Sequence, residues 1–335
     1  MIRYVIRRSI GGVLVLLVTS FVTFFIFQVG PKIANVSPAL FYVGKIPPNE
    51  EGLRLIEARF GFDLPLWKQY FNWGGGILFG RTLGDDTGAT VECAAPCLGY
   101  SFRQQLPVTE MIMRALPVEL SIALGAAVLW LVGGLTIGSI SALKRGSFFD
   151  RASMTMALAA VSLPIFFTGP ILLLVFKYKL GWLPNTNYAS ITSDPEQWLR
   201  SMILPWLALA FIFAALYARL TRANMLETMS EDYVRTARAK GLPRRTVVVK
   251  HGLRAALTPI VTIFGLDLGQ LIGSAVITES VFNLPGLGLI SIKAINSQDL
   301  PVILGVTIVA TFAVVLANIV VDIGYAFVDP RVSYS

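Results

Sequence analysis

Six apolar stretches of roughly 20 residues, parted by polar segments, recur along this chain, and no soluble fold accommodates that many. They cover 9–30, 116–142, 154–176, 202–218, 257–277 and 302–328. Runs of this length cross a bilayer as helices, because a helix satisfies its own backbone N–H and C=O groups where no water can. Composition agrees: 55% of residues are hydrophobic and only 14% charged, against roughly 25% charged in soluble domains. Arg3, Arg7 and Arg8 precede the first run in the manner of a secretory leader. That run exceeds the roughly 7–15 residues of a leader's apolar core, and no small-x-small cleavage site follows it. It reads as an uncleaved helix. Pro164 and Pro170 predict kinks in the third span. The expected class is an all-α integral membrane protein whose six spans put both termini on one side.

Charge sets the side. The chain holds 28 Lys and Arg against 20 Asp and Glu, net +8. With the N-terminus inside, the inner segments carry sixteen basic and five acidic residues, and the outer segments twelve of each. The long first outer segment is not weighed, since long loops cross regardless of charge, and the short loops alone give the same orientation. Both termini are expected in the cytoplasm. A nucleic-acid partner is excluded because the aromatic residues lie in the apolar runs rather than among the basic ones.

Three segments divide the chain: 1–30, the N-terminal tail and first span; 31–115, an extracytoplasmic region; and 116–335, a five-helix core with a basic cytoplasmic loop at 221–256. In the outer region Asn49, Glu50 and Glu51 form a cap and an acidic first turn. Leu53, Ile56 and Phe60 then repeat at helical spacing up to Gly61. Trp67, Tyr70 and Trp73 offer rings suited to the lipid headgroup layer. Cys93 and Cys97 share this outer loop, where a disulfide persists; two free thiols are the alternative.

Catalytic motifs are missing. His251 is the only histidine, so no His-rich metal site and no H-E-x-x-H helix exists. Gly44-Lys45 runs into Ile46 and lacks the upstream glycine of a phosphate-binding loop. Gly74, Gly75 and Gly76 follow Trp73 without a strand–helix context. No G-x-S-x-G elbow occurs. The chain is not read as an enzyme, and it binds no cofactor or metal of its own. Uphill movement of a solute would draw on a partner or an ion gradient.

The loop between the fourth and fifth spans is the most informative segment. Good helix formers fill Val234 to Lys240, with Glu231 and Asp232 at the N-terminal end and Lys240 at the C-terminal end, matching the helix dipole. Gly241 stands where a left-handed cap residue belongs, and Pro243 suits the first turn of a second helix. Small residues at Thr236, Ala237 and Ala239 leave room for another backbone. A solvated basic loop is the plainer alternative.

The order of residues here resembles the EAA-type cytoplasmic loop of ABC importer permeases. Arg235-Thr236-Ala237 and Gly241 hold its first part, while Ile and Pro of the later I-x-L-P are replaced at 251–254 by His251, Gly252, Leu253 and Arg254. That departure is itself similar to the dipeptide/oligopeptide subfamily, which 232–241 and 251–259 match closely. Leu98-Gly99-Tyr100-Ser101-Phe102 looks like the subfamily's segment ahead of the second span. Glu279, Phe282, Pro285, Gly286, Leu287 and Gly288 look like its E-x-x-F-x-x-P-G-L-G outer stretch, and Asp322, Tyr325 and Asp329-Pro330-Arg331 like its C-terminal signature. The stretch 81–97 departs from the pattern.

The resemblance implies a type I ABC importer permease fold in a bacterial plasma membrane, with a large outer loop between helices 1 and 2. It implies a peptide-transporting subunit, partnered by a second homologous permease, two cytoplasmic ATPases that carry ATP and Mg, and an extracytoplasmic peptide-binding protein. Docking on the ATPase would fall to Tyr233, Arg235, Thr236, Ala237, Arg238, Lys240, Gly241, His251 and Arg254. Nickel, glutathione and some saccharide importers look similar and remain open as substrates.

Three acids, Glu119, Asp267 and Asp322, lie in or at the edge of spans, and no Lys or Arg lies deep in one. A charge at mid-bilayer costs about 2.5–3.5 kcal/mol on insertion scales, so each acid needs a cavity, a partner or a helix end. They are candidates for a path suited to zwitterionic or cationic solutes, with helix bracing as the alternative. Asp267 and Asp322 also admit a proton-coupled secondary transporter as the rival function. Gly265, Gly269 and Gly273 form a small-residue stripe for close helix contact near a subunit interface. The 279–288 stretch, with a turn at Pro285 and Gly286, is a candidate outer gate or binding-protein contact through Glu279, Phe282, Pro285 and Gly286.

Overall fold

Apart from two small hairpins the chain is built from helices, as seen in a computed structural model that describes residues 2–33, 36–41, 50–84, 90–183 and 187–328. Helix α1 (Ile2–Ile33) is followed by a 3-10 turn (Pro38–Phe41), α2 (Glu50–Phe60) and α3 (Leu66–Phe79). Strand β1 (Arg81–Gly84) pairs antiparallel with β2 (Thr90–Cys93), Arg81 opposite Cys93. Strand β3 (Tyr100–Ser101) pairs likewise with β4 (Leu106–Pro107), Tyr100 opposite Pro107. Next come α4 (Val108–Leu143), α5 (Phe148–Ser162) and α6 (Ile165–Leu172), which widens into π-helical turns at Leu173–Lys179. Helices α7 (Pro195–Thr228), α8 (Asp232–Ala239) and α9 (Arg244–Thr246) lead through a second π-helical stretch, Val247–Leu253, into α10 (Arg254–Ser274). The last three are α11 (Val276–Phe282), α12 (Leu287–Asn296) and α13 (Leu300–Val328). Asn49 and the signature at Asp329-Pro330-Arg331 lie outside the described residues.

Among the described residues five helices are long and apolar enough to cross a bilayer, and α5 with α6 makes a sixth span if the pair crosses as one. The break between them is a bend of 106°, sharper than the kink expected. Pro164 cannot donate a backbone hydrogen bond and ends α5's ladder, and Pro170 removes a second donor just ahead of the π-helical turns. Helix α4 starts at Val108, ahead of the apolar run at 116. Its first turns are amphipathic, with Glu110 and Arg114 ion-paired one turn apart among Val108, Met111 and Ile112, so hydropathy alone misses them.

The residues group into two units, one of 1–8, 119–284 and 316–335, the other of 9–118 and 285–315. In the first unit small residues let helices approach closely. Ala157 and Ala160 of α5 meet Ala215 of α7. A Cβ on Gly138 of α4 would lie 2.5 Å from the Ala218 carbonyl of α7. Trp130, fully buried, stacks on Phe213 with centroids 4.6 Å apart, beside Tyr217 and Phe264. Gly265 and Gly269 are buried within this chain, so these two glycines do not present the expected stripe to a second subunit; the burial of Gly273 is not described.

In the second unit one core joins Leu98, Val108, Met111, Ile112 and Ala115 to Leu287, Ala294, Val302 and Val306. Another sets Phe24 of α1 and Trp73 of α3 against Leu300 and Leu304 of α13. Two of the three rings expected in the headgroup layer are therefore packed on α1: Trp73 is 6% exposed, and the Tyr70 hydroxyl lies 2.8 Å from Ser20 Oγ. Trp67 alone stays open, at 66%. Cys93 and Cys97 are joined by a disulfide, buried beside Leu83 and Phe102. Asp299 caps α13, its carbonyl accepting from the Ile303 N–H and its side chain from the Val302 N–H and from the Ser101 hydroxyl of β3.

Candidate functional site

Helix α8 is short and two-faced. Val234 (fully buried) and Ala237 point to the chain and pack on Val247, with Met229 alongside. Tyr233, Arg235, Thr236, Arg238 and Lys240 are exposed. An eight-residue helix has little stability of its own, so this tertiary packing holds it. The Thr236 hydroxyl folds back on the Asp232 carbonyl at 2.9 Å, and Arg235 reaches Asp232 at 3.4 Å.

The corner after α8 takes the predicted left-handed form, with Gly241 at φ +73°. The Gly241 N–H donates to the Arg238 carbonyl at 2.9 Å and the Leu242 N–H to that of Ala237 at 3.4 Å. These are the two reverse bonds of a Schellman cap, which satisfy carbonyls the ending helix leaves open. Pro243 sits one position earlier than expected: it is the residue before α9, with ψ 141°, not the first helical residue. Its fixed φ serves either position, but the extended ψ is what turns the chain out of the corner. The return arm then runs through Val247–Leu253 into α10 without a break in helical sense.

The elbow is closed by a contact across eighteen positions, the Tyr233 hydroxyl donating to the His251 carbonyl at 3.3 Å. His251 is half-buried and Arg254 exposed on the return arm. Behind the elbow lies a cavity of about 450 Å³ lined by Leu143, Met225, Met229, Leu242, Arg238 and Arg244, among others. Apart from Asp232 and Glu231, the outward surface of the elbow is basic: Arg235, Arg238, Lys240, Arg244 and Arg245 are all exposed.

Among the described residues, the acids in the spans differ in their surroundings. Asp267 of α10 is half-buried and accepts a hydrogen bond from the Tyr217 hydroxyl of α7 at 2.8 Å. Glu119 of α4 is 1% exposed. Asp322 lies on α13, and its side chain is outside the described set. The outer stretch differs from the exposed segment expected. Glu279 (0% exposed) and Phe282 (6%) are buried, so neither forms a surface for a binding protein. The cause is helix packing: a Cβ on Gly169 of α6 would lie 2.7 Å from Val281 and 3.4 Å from the Phe282 ring. The turn also falls earlier than Pro285-Gly286. Asn283, at φ 52°, ends α11, and Gly286 is the extended residue ahead of α12; Pro285 is exposed and Gly286 buried.

One feature near the elbow escaped the sequence reading. Asp150 of α5, 4% exposed at its side chain, makes a two-pronged ion pair with Arg222 of α7, at 2.6 Å to Nε and 2.9 Å to Nη2. Its carboxylate also accepts from the Gly146 N–H, and the Asp150 N–H donates to Ser147 Oγ. The signal was available: Ser147-x-x-Asp150 just ahead of an apolar run is a capping pattern. By charge alone Asp150 and Arg222 count among the acidic and basic residues of the inner segments.

Residues 134–334 match the family described as binding-protein-dependent transport system inner membrane component, and residues 1–123 match that family's N-terminal domain. The chain belongs to this family. A protein of Brucella suis named as a peptide permease is 37% identical over 338 residues, covering 99% of both chains. One of Sinorhizobium fredii named as a peptide ABC transporter permease is 31% identical over 331 residues, 99% of both. The glutathione transport system permease of Escherichia coli is 34% identical over 334 residues and the full length of both. The all-helical, multi-pass inner-membrane architecture expected from the apolar runs is that of the family.

Proposed function

We propose that this chain is the membrane-spanning permease subunit of an ATP-driven peptide importer, driven through the elbow at 232–243. The observation that carries this is the division of α8 into a face fastened to its own chain by Val234 and Ala237 and a basic face left open. A helix held this way transmits a push, because it cannot roll without unseating a fully buried valine. Peptide-permease relatives aligned over 99% of both chains support the substrate class. The glutathione relative keeps that compound within range.

In this reading the elbow and both termini face the cytoplasm. Two ATPases close on nucleotide, one pressing on α8. The return arm passes the displacement into α10, and alternating access follows in concert with a second permease and an external binding protein. Asp267, half-buried on α10, favours zwitterionic or cationic cargo. Reversing charge at Arg235 and Arg238 together (to Glu) should release the ATPase on co-purification or lower peptide-stimulated ATP hydrolysis about tenfold, roughly 1.4 kcal/mol. Wild-type stimulation in that variant would end the docking assignment. Accumulation of peptide by the chain alone, under a pH gradient and without ATP, would instead establish the proton-coupled rival.

A further inference from the structure

Helix α3 is apolar on two faces, about 110° apart around its axis. One holds Trp73 and Ile77, packed on α1 and α13 with Tyr70 beside them. The other holds Trp67 (66% exposed), Phe71 (68%) and Leu78 (71%). At 100° per residue those three fall on a single stripe. Lys68 and Asn72, also exposed, form a polar stripe on the far side of the open one, and Phe79 (85% exposed) ends it at the C-terminal turn. A soluble segment has no use for a second apolar face of this size.

The height of α3 along α1 says what covers it. Tyr70 meets Ser20 and Phe21, and both Tyr70 and Trp73 meet Phe24. Counted from Ser9, where the apolar run of α1 starts, Ser20 and Phe24 stand roughly 17 and 22 Å along the helix axis. The hydrocarbon layer is about 30 Å thick, so both contacts fall inside it. The face of α1 at that level is itself apolar and open, through Val22, Phe25 and Ile26. Ring contacts link it to α3: Phe25 to Phe21, Phe21 to Tyr70, and Tyr70 to Phe71 of the open stripe.

We propose that α3 is an interfacial helix of the outer leaflet, its Trp67–Phe71–Leu78 stripe in contact with lipid acyl chains and its Lys68–Asn72 stripe at the headgroups. A fourteen-residue helix is too short to span, but a helix with one wet and one greasy edge lies stably in that layer. The assignment does not depend on the substrate or on the ATPase.

The test uses the full chain assembled with its partners in lipid nanodiscs, nitroxide-labelled at Phe71→Cys, Leu78→Cys, Lys68→Cys or Asn72→Cys, one at a time. Cys93 and Cys97 are bonded to one another and do not take the label. All four positions are exposed, so none disturbs a packed core. Relaxation by oxygen should exceed that by a water-soluble nickel chelate at Phe71 and Leu78, with the order reversed at Lys68 and Asn72. Greater access of the chelate to Phe71 and Leu78 would place the stripe in water and overturn the proposal. Protection of both positions from both reagents would mean that a protein partner covers the stripe, and would overturn it equally.

Discussion

At Gly241 the backbone alone demands glycine. A Cβ there would meet nothing within 4 Å, so the constraint is φ +73° and not space. A left-handed conformation costs an ordinary L-residue about 1–2 kcal/mol, and Asn less, because its side chain hydrogen-bonds locally. Peptide-stimulated ATP hydrolysis by the assembled importer should therefore rank Gly241→Asn nearest to wild type, then Gly241→Ala, then Gly241→Val, whose branched Cβ tolerates positive φ least. Wild-type coupling in the Val variant would show that the corner is not needed. Asp299 makes a second prediction at this scale. Burial raises its carboxyl above the ordinary carboxylate range, against the opposing pull of the Ser101 hydroxyl, the Val302 N–H and the Arg103 charge. The folded chain thus holds this proton more tightly than the unfolded chain. The stability it contributes is complete below about pH 3.9, the ordinary carboxylate value, and is lost as pH rises through the elevated one. Thermal unfolding of wild type and Asp299→Asn across that window should differ in slope, wild type weakening with rising pH and the variant lacking that component. Parallel profiles would refute it.

At the scale of elements, the tie between α5 and α7 is the Asp150–Arg222 pair. Removing one partner of a buried pair leaves the other charge uncompensated and costs about 3–5 kcal/mol, whereas replacing both with apolar residues is far milder. Asp150→Asn should lower the melting temperature of the purified complex markedly, and Asp150→Leu with Arg222→Met should recover most of the loss. Additive losses in the double variant would show that the pair is not coupled. The same scale shows why some elements were readable and others were not. The spans and the Gly241 corner are written in local chemistry: long apolar runs, a helix dipole, a residue that alone accepts positive φ. The start of α4 was hidden because Glu110 and Arg114 satisfy one another within a turn. The burial of Tyr70, Trp73, Glu279 and Phe282 depends on which helices meet, and no spacing rule reports that. Gly134 and Gly138 of α4 carry a four-residue repeat and both press on α7, but Gly125, where a Cβ would lie 2.0 Å from the Trp206 ring, and Gly169 belong to no repeat, and the repeat at Gly265 and Gly269 is buried in its own chain.

For the whole molecule, the side of the membrane on which the elbow lies turns on the bent pair α5–α6. With the N-terminus inside, α1 leads out and α4 leads back, placing Lys144 and Arg145 within. If α5 and α6 together cross, residues 187–194 are outside and α7 returns the chain to the cytoplasm, where α8 meets an ATPase. If the 106° bend makes the pair dip and return on the same face, residues 187–194 stay inside and α7 carries the elbow outward, beyond the reach of any nucleotide-driven partner. Hydropathy permits either course, but charge separates them. Five exposed basic residues of the elbow, Arg235, Arg238, Lys240, Arg244 and Arg245, would have to be translocated in the second. Thr192→Cys and Lys240→Cys, both at exposed positions, decide it. In intact cells an impermeant maleimide should modify the cysteine at 192 and spare that at 240 until the membrane is opened. The opposite pattern would put α8 outside, and the lever reading of the elbow would have to be abandoned.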